Sequence, residues 1–119
     1  RYGRSMNHFH AFYEHGRALP ALVRRDPGPV VWVSQGDANA RHIEDGATVQ
    51  MFNERGEFTA NAKVTDRINA GTLWIHDGWE DLNRLSDGAP VLPDSATSLF
   101  TFTTGQSRYD TMVDVRLAP

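Results

Sequence analysis

Two similar units, Ile43-Glu-Asp-Gly46-Ala-Thr-Val49 and Ile68-Asn-Ala-Gly71-Thr-Leu-Trp74-Ile75, lie between Val30 and Trp79. Each runs from an apolar residue through a turn closed by glycine into a β-rich stretch. A hairpin signal, Asn53-Glu-Arg-Gly56, separates them. A unit used twice about 25 residues apart is the mark of an internally duplicated β structure. Gly46 is placed where a turn needs positive φ, which glycine adopts without steric cost.

Around this repeat the elements follow from local chemistry. Ala18 to Arg25 predicts a helical turn that starts near Pro20 and stops before Pro27. Asp26-Pro-Gly-Pro29 has too few backbone donors for a ladder and is a loop. Val30 to Val33 is β-branched and aromatic, a strand. Asp37 is the expected cap of a short helix, Ala38 to His42, with Ile43 packing behind it. Thr48 to Phe52 and Glu57 to Val64 form the arms of the hairpin. Thr72 to Ile75 is a further strand, and Glu80 to Leu85 a helical turn. Asp87 to Thr97 is a long loop; Ser98 to Thr104 and Thr111 to Leu117 are the last strands. At least five short strands with one or two small helices argue for a compact β-barrel.

Composition bounds the function. The 119 residues suit one domain with its own core. The net charge of −3 comes from interspersed acids and bases, so no basic face for nucleic acid is present. No apolar run approaches the ~20 residues of a membrane helix, and the polar N-terminal segment lacks the apolar stretch of a signal peptide. There are no cysteines, which removes disulfides, thiolate metal sites and cysteine nucleophiles. No nucleophile elbow or Gly-rich phosphate motif occurs. The chain opens on Arg1 rather than Met, so the expectation is a piece of a longer protein.

In order and spacing, the chain resembles the C-terminal molybdopterin-dinucleotide-binding domain of the dimethyl-sulfoxide-reductase family, formate-dehydrogenase-like. Gly3-Arg4 followed by His8-Phe9-His10 looks like that family's opening segment. Val31-Trp-Val-Ser-Gln-Gly-Asp37-Ala38 looks like its strand into an Asp-Ala helix start. Ile43-Glu-Asp-Gly46-Ala-Thr-Val49 is similar to its I-x-D-G-D-x-V segment, with Ala47 replacing the usual acid. Arg55-Gly56-Glu-Phe-Thr-Ala60 resembles its R-G-x-x-x-A hairpin. Gly71 to Ile75 followed by Gly78-Trp79, and then Leu82-Asn83-Arg-Leu85, resemble the segments that come next. Thr104-Gly105 and Tyr109 resemble its closing loop, where Asp110 replaces a frequent Lys. The resemblance implies a single domain, 1–119, folded as a six-stranded double-psi β-barrel, in which the duplicated units are the interlocked halves.

The resemblance also implies a role. The domain would bind and cap a molybdopterin guanine dinucleotide within a molybdenum- or tungsten-dependent oxidoreductase of the formate-dehydrogenase or nitrate-reductase type. Its partners would be the remaining domains of that enzyme, and a cytoplasmic location is favoured over a periplasmic one. The isolated domain would not be catalytic. Carried over by position, Arg4, Ser5, His8 and His10 would meet the pterin and diphosphate; an Arg fork with hydroxyl and amide donors suits a diphosphate. His8 and His10 share a side if their segment is extended, but no further ligands complete a zinc set, so no metal site is assigned. Asn83 offers donors and an acceptor to a ring edge, or simply caps a turn. Asp37 either accepts from guanine N–H groups or caps its helix. Gln106 and Tyr109 are further contacts, or residues of an ordinary loop. Trp32, Trp74 and Trp79 are packing aromatics. Two rival readings stand beside this one: a double-psi barrel serving as a protein-interaction module, and a stand-alone barrel enzyme of decarboxylase type, which lacks its self-processing Gly-Ser site here.

Overall fold

The computed structural model describes residues 2–3, 20–25, 27–76, 79, 82–86 and 111–119. The expected loop Asp87–Thr97 and strand Ser98–Thr104 lie outside them. The elements are β1 (Tyr2–Gly3), α1 (Pro20–Arg25), β2 (Val30–Ser34), α2 (Gln35–Ala40), β3 (Thr48–Asn53), β4 (Gly56–Thr65), β5 (Ile75–His76), a 3-10 turn (Leu82–Leu85) and β6 (Asp114–Leu117). The domain is mainly β.

β4 is the longest strand and the centre of a four-stranded sheet, ordered β2-β4-β3-β6. Its sequence alternates: Phe58, Ala60 and Ala62 are buried while Glu57, Thr59, Asn61 and Lys63 are exposed. That period of two is what a strand with one buried face requires. β3 pairs antiparallel with β4 from Thr48↔Asn61 to Asn53↔Gly56. β2 pairs with it in parallel, from Val30↔Asn61 to Ser34↔Thr65. β6 lies antiparallel on the other side of β3.

A second ladder, β1 parallel to β5, joins the first through a bridge between Trp32 and Trp74. Trp32 N–H donates to the Trp74 carbonyl at 2.8 Å, and Trp74 N–H returns to Trp32 at 3.3 Å. The expected strand Thr72–Ile75 is therefore shorter and shifted, a bridge at Trp74 followed by two strand residues.

The duplicated units fold alike. Ala47 N–H donates to the Glu44 carbonyl at 3.1 Å, and Thr72 N–H to the Asn69 carbonyl at 3.2 Å. Gly46 and Gly71 stand third in these turns with φ of 83° and 80°. This is the pattern of a turn that demands a left-handed third residue. A Cβ added at either glycine would meet nothing within 4 Å, so the constraint is the backbone alone.

Helix α2 corrects the expected boundaries. Its cap is Ser34, not Asp37: the Ser34 hydroxyl accepts from Asp37 N–H at 3.2 Å. Its end is a Schellman closure, with His42 N–H to the Asn39 carbonyl and Ile43 N–H to the Ala38 carbonyl. His42 occupies the left-handed position with φ 56°, where glycine is usual.

The core gathers Val31 and Val33 of β2, Ala38 of α2, Ile43, Val49 and Met51 of β3, the inward residues of β4, Ile75, Val115 and the turn residues Leu82 and Leu85. Gly46→Ala and Gly71→Ala are each expected to lower stability by about 1–2 kcal/mol, whereas His42→Gly should raise it by roughly 0.5–1 kcal/mol. Denaturant midpoints at constant slope check both signs; a neutral Gly46→Ala would refute the turn assignment.

Candidate functional site

Of the eight residues expected to bind, Arg4, Ser5, His8, His10, Gln106 and Tyr109 lie outside the described residues. Asp37 is described in full. For Asn83 the description covers its backbone place as the second residue of the 3-10 turn.

Asp37 sits in the first turn of α2, half-buried. Its Oδ2 accepts the Gly71 N–H at 2.7 Å, so this carboxylate ties the helix to the second of the duplicated turns. It borders a small recess of about 70 Å³ whose other walls are Arg41, Gly71, Leu73 and Val113–Val115. Within this lining Arg41 is paired with Asp114, Nε at 3.0 Å and Nη2 at 2.9 Å from Oδ1. The recess thus carries two carboxylates against one guanidinium that is already engaged. Such a lining accepts N–H donors and disfavours a phosphate.

The Asp114 carboxyl is held below its ordinary value of 3.8. The main cause is the hydrogen bond from Val115 N–H, at 2.7 Å; slight desolvation works against it, and Arg41 adds to it.

The 3-10 turn is held from the side of the β3–β4 hairpin. The Leu85 carbonyl accepts from Asn53 Nδ2 at 2.7 Å and from Arg55 Nε at 2.9 Å. Asn53 Nδ2 also donates to the Met112 carbonyl at 3.1 Å. The two described candidate positions therefore share a neighbour: Met112–Val115 meets the Asn83 turn through Asn53 and the Asp37 recess through Val113–Val115. A wider open groove of about 480 Å³ runs along Phe52–Glu54 and Met112–Asp114.

The tryptophans pack, as their composition suggested. Trp32 and Trp74 have centroids 4.8 Å apart, and Lys63 lies 5.3 Å over Trp32. The Trp79 indole N–H donates to Nδ1 of buried His76 at 3.0 Å.

Sequence reasoning missed the cap Ser34, although the S-x-x-D spacing of Ser34 to Asp37 carries the signal. It also missed the pairing of Arg41 with Asp114 and the clamp made by Asn53. Those depend on residues far apart in the chain, and no local pattern marks them.

Comparison with known proteins gives a consistent result. A family described as "Molydopterin dinucleotide binding domain" matches residues 2–109. Trimethylamine-N-oxide reductase of Salmonella typhi is 35% identical over 79 residues, covering 66% of this chain and 9% of that protein. The respiratory nitrate reductase 1 alpha chain of Escherichia coli K12 is 38% identical over 76 residues, covering 64% and 6%. Dimethyl sulfoxide reductase DmsA of the same strain is 36% identical over 73 residues, covering 60% and 8%. The chain thus spans less than a tenth of the length of these relatives. Among solved structures, acetylene hydratase from Pelobacter acetylenicus superposes with a TM-score of 0.58 at 20% identity, covering 66% of this chain and 10% of that one; this likeness concerns the fold.

Two outcomes test the local chemistry. Asp37→Ala should cost about 1 kcal/mol through the lost Gly71 acceptor, while Asp37→Asn, whose amide oxygen still accepts, should cost less; equal losses would contradict this role. A carboxyl with a depressed pKa stabilises the fold above its ordinary pKa and loses that contribution as pH falls through the folded value. Asp114→Asn should therefore lower the melting temperature modestly at neutral pH and flatten its further loss on acidification below about pH 4, where variant and wild type converge.

Proposed function

The chain belongs to the molybdopterin dinucleotide binding domain family, and from that premise we propose that it binds and caps a molybdopterin guanine dinucleotide within a larger molybdenum- or tungsten-dependent oxidoreductase. The observation that carries this reading is the family match from residue 2 to residue 109. The relatives support a parent of nitrate-reductase type, in the company of trimethylamine-N-oxide and dimethyl sulfoxide reductases, and the formate-dehydrogenase type remains part of this reading. The small share of each relative that is covered supports other domains of the parent as the partners. The same reading has the strands close into a double-psi barrel. Their order supports it, because the Trp32–Trp74 bridge links the two ladders into one succession, β1-β5-β2-β4-β3-β6.

The residues present fit such a group. Asp37 borders an acceptor-rich recess suited to the N–H edge of a guanine. The acidity of that recess directs the diphosphate elsewhere, to Arg4 and Ser5 in this reading, with His8 and His10 beside the pterin. Asn83 supplies amide donors and an acceptor from the 3-10 turn, and Gln106 and Tyr109 close the site. Directly after that turn the Ser86 hydroxyl is buried with no hydrogen-bond partner among the described residues. An unmade buried bond of this kind costs about 1–3 kcal/mol, and a ligand or partner domain reaching the turn would relieve it by reordering its surroundings. When bound, the cofactor supplies metal-centred oxidation–reduction; the residues of this chain hold and orient it.

The test is made in the full-length parent. Arg4→Ala and Asn83→Ala are expected to lower molybdenum and pterin per polypeptide, each by several-fold. Wild-type content in both variants would overturn the site assignment.

A further inference from the structure

The hairpin tip Asn53–Gly56 has no part in the reading above, yet it donates bonds to two segments far along the chain, at Leu85 and Met112. Asn53 uses its whole hydrogen-bonding capacity. Its Oδ1 accepts Arg55 N–H at 2.9 Å and Gly56 N–H at 3.2 Å, which shapes the tip. Its Nδ2 donates to the Leu85 and Met112 carbonyls. Arg55 Nε fills the second acceptor direction of the Leu85 carbonyl.

Gly56 is required for space rather than for φ. A Cβ there would lie 3.3 Å from Arg84 Cβ and 3.4 Å from the Arg84 carbonyl oxygen. The hairpin and the 3-10 turn therefore meet backbone to backbone, with three directional bonds across or beside the contact. Apolar burial of Leu82 and Leu85 holds the turn against the sheet but is non-directional. Hydrogen bonds with a preferred angle are what fix its rotation.

We propose that Asn53, Arg55 and Gly56 are positioning residues for the cofactor site: they set the orientation of the turn that carries Asn83, with Asn53 tying that turn to Met112 before β6. This rests on the reading of Asn83 as a cofactor contact. It gives the Arg-Gly hairpin, conspicuous in the sequence, a role distinct from making a turn.

The test uses the full-length parent enzyme with its cofactor. Asn53→Asp keeps the oxygen that shapes the tip, removes both N–H donors and sets a carboxylate against two carbonyls. The readout is the rate at which molybdenum and pterin leave the enzyme, at a temperature where circular dichroism shows it folded. Asn53→Asp and Asn83→Ala are each expected to speed release about tenfold, and the double variant should be little faster than the faster of the two single variants. Effects that multiply are what a merely structural role produces, and they would overturn the proposal. So would unchanged release in Asn53→Asp beside faster release in Asn83→Ala, with the cofactor reading left standing. Unchanged release in Asn83→Ala would remove that reading and this inference with it. Should Asn53→Asp not yield folded enzyme, Gly56→Ala replaces it. That variant displaces Arg84 by a few tenths of an ångström, keeps every donor, and must show the same coupling to Asn83→Ala.

Discussion

β4 pairs with neighbours of opposite sense, β2 in parallel and β3 antiparallel, and the rest of the domain is arranged around that fact. An antiparallel neighbour needs only a tight turn, which Asn53–Gly56 supplies. A parallel neighbour needs a crossover that carries the chain back to the starting edge. Here the crossover consists of α2, the Gly46 turn and β3 itself. It is pinned where it must reverse: Gly46 N–H donates to the Ala62 carbonyl, Ala62 N–H to the Ala47 carbonyl, and Val64 N–H to the Asp45 carboxylate. The positive φ of Gly46 thus follows from the sense of a strand pair. The Gly71 turn repeats the geometry, with Asp37 of α2 as its external acceptor.

Much of this was legible in the sequence, and what was not has a common cause. The β3–β4 hairpin showed in the turn signal Asn53–Gly56, and both duplicated turns showed in their glycines, because these are local constraints; the alternation expected of Thr48 to Phe52 is found instead in β4. The identity of the α2 cap was open to reading in Ser34-Gln-Gly-Asp37, where Asp37 instead turned out to serve a residue 34 positions away. Gln50 is a polar residue of β3, yet it is buried. Arg116 lies over it, donating from Nε and Nη2 to its Oε1 and stacking 4.2 Å over the Phe52 ring. That cover comes from 66 residues downstream and leaves no local trace. β5 came out shorter than its composition implied: Trp74 makes a bridge and the strand proper is Ile75–His76. For the candidate site, Asp37 and Asn83 were legible by motif, whereas the residues that hold their surroundings, Arg41, Asn53 and Asp114, were not.

Charge explains why binding would be divided along the chain. A dinucleotide of this class presents both an anionic diphosphate and a ring edge rich in N–H donors. One pocket cannot favour both, because carboxylates that accept from the ring repel the phosphates. The described recess would suit the ring edge, since Asp37 borders it and the one guanidinium among its described residues is paired with Asp114. The Arg4–His10 segment holds the basic and hydroxyl groups that a diphosphate needs. Distance between these groups along the sequence is then a requirement of the chemistry, in keeping with a domain that supplies one wall of a site shared with the rest of a larger enzyme.

A core of this kind also limits how precision can be achieved. The inward face of β4 is lined by Phe58 and two alanines, and the turn that carries Asn83 buries Leu82 and Leu85 in the core. Small apolar surfaces hold elements together without defining their rotation, since burial rewards area and not angle. Directional bonds must then set the geometry, and an amide is suited to that because it donates twice and accepts twice from one rigid plane. Asn53 occupies the position where one such plane reaches a hairpin, a 3-10 turn and the approach to β6 together. An aspartate in that place would keep the turn and lose the reach, and an alanine would lose both. The arrangement makes the hairpin tip the reference point from which the orientation of the neighbouring 3-10 turn is set.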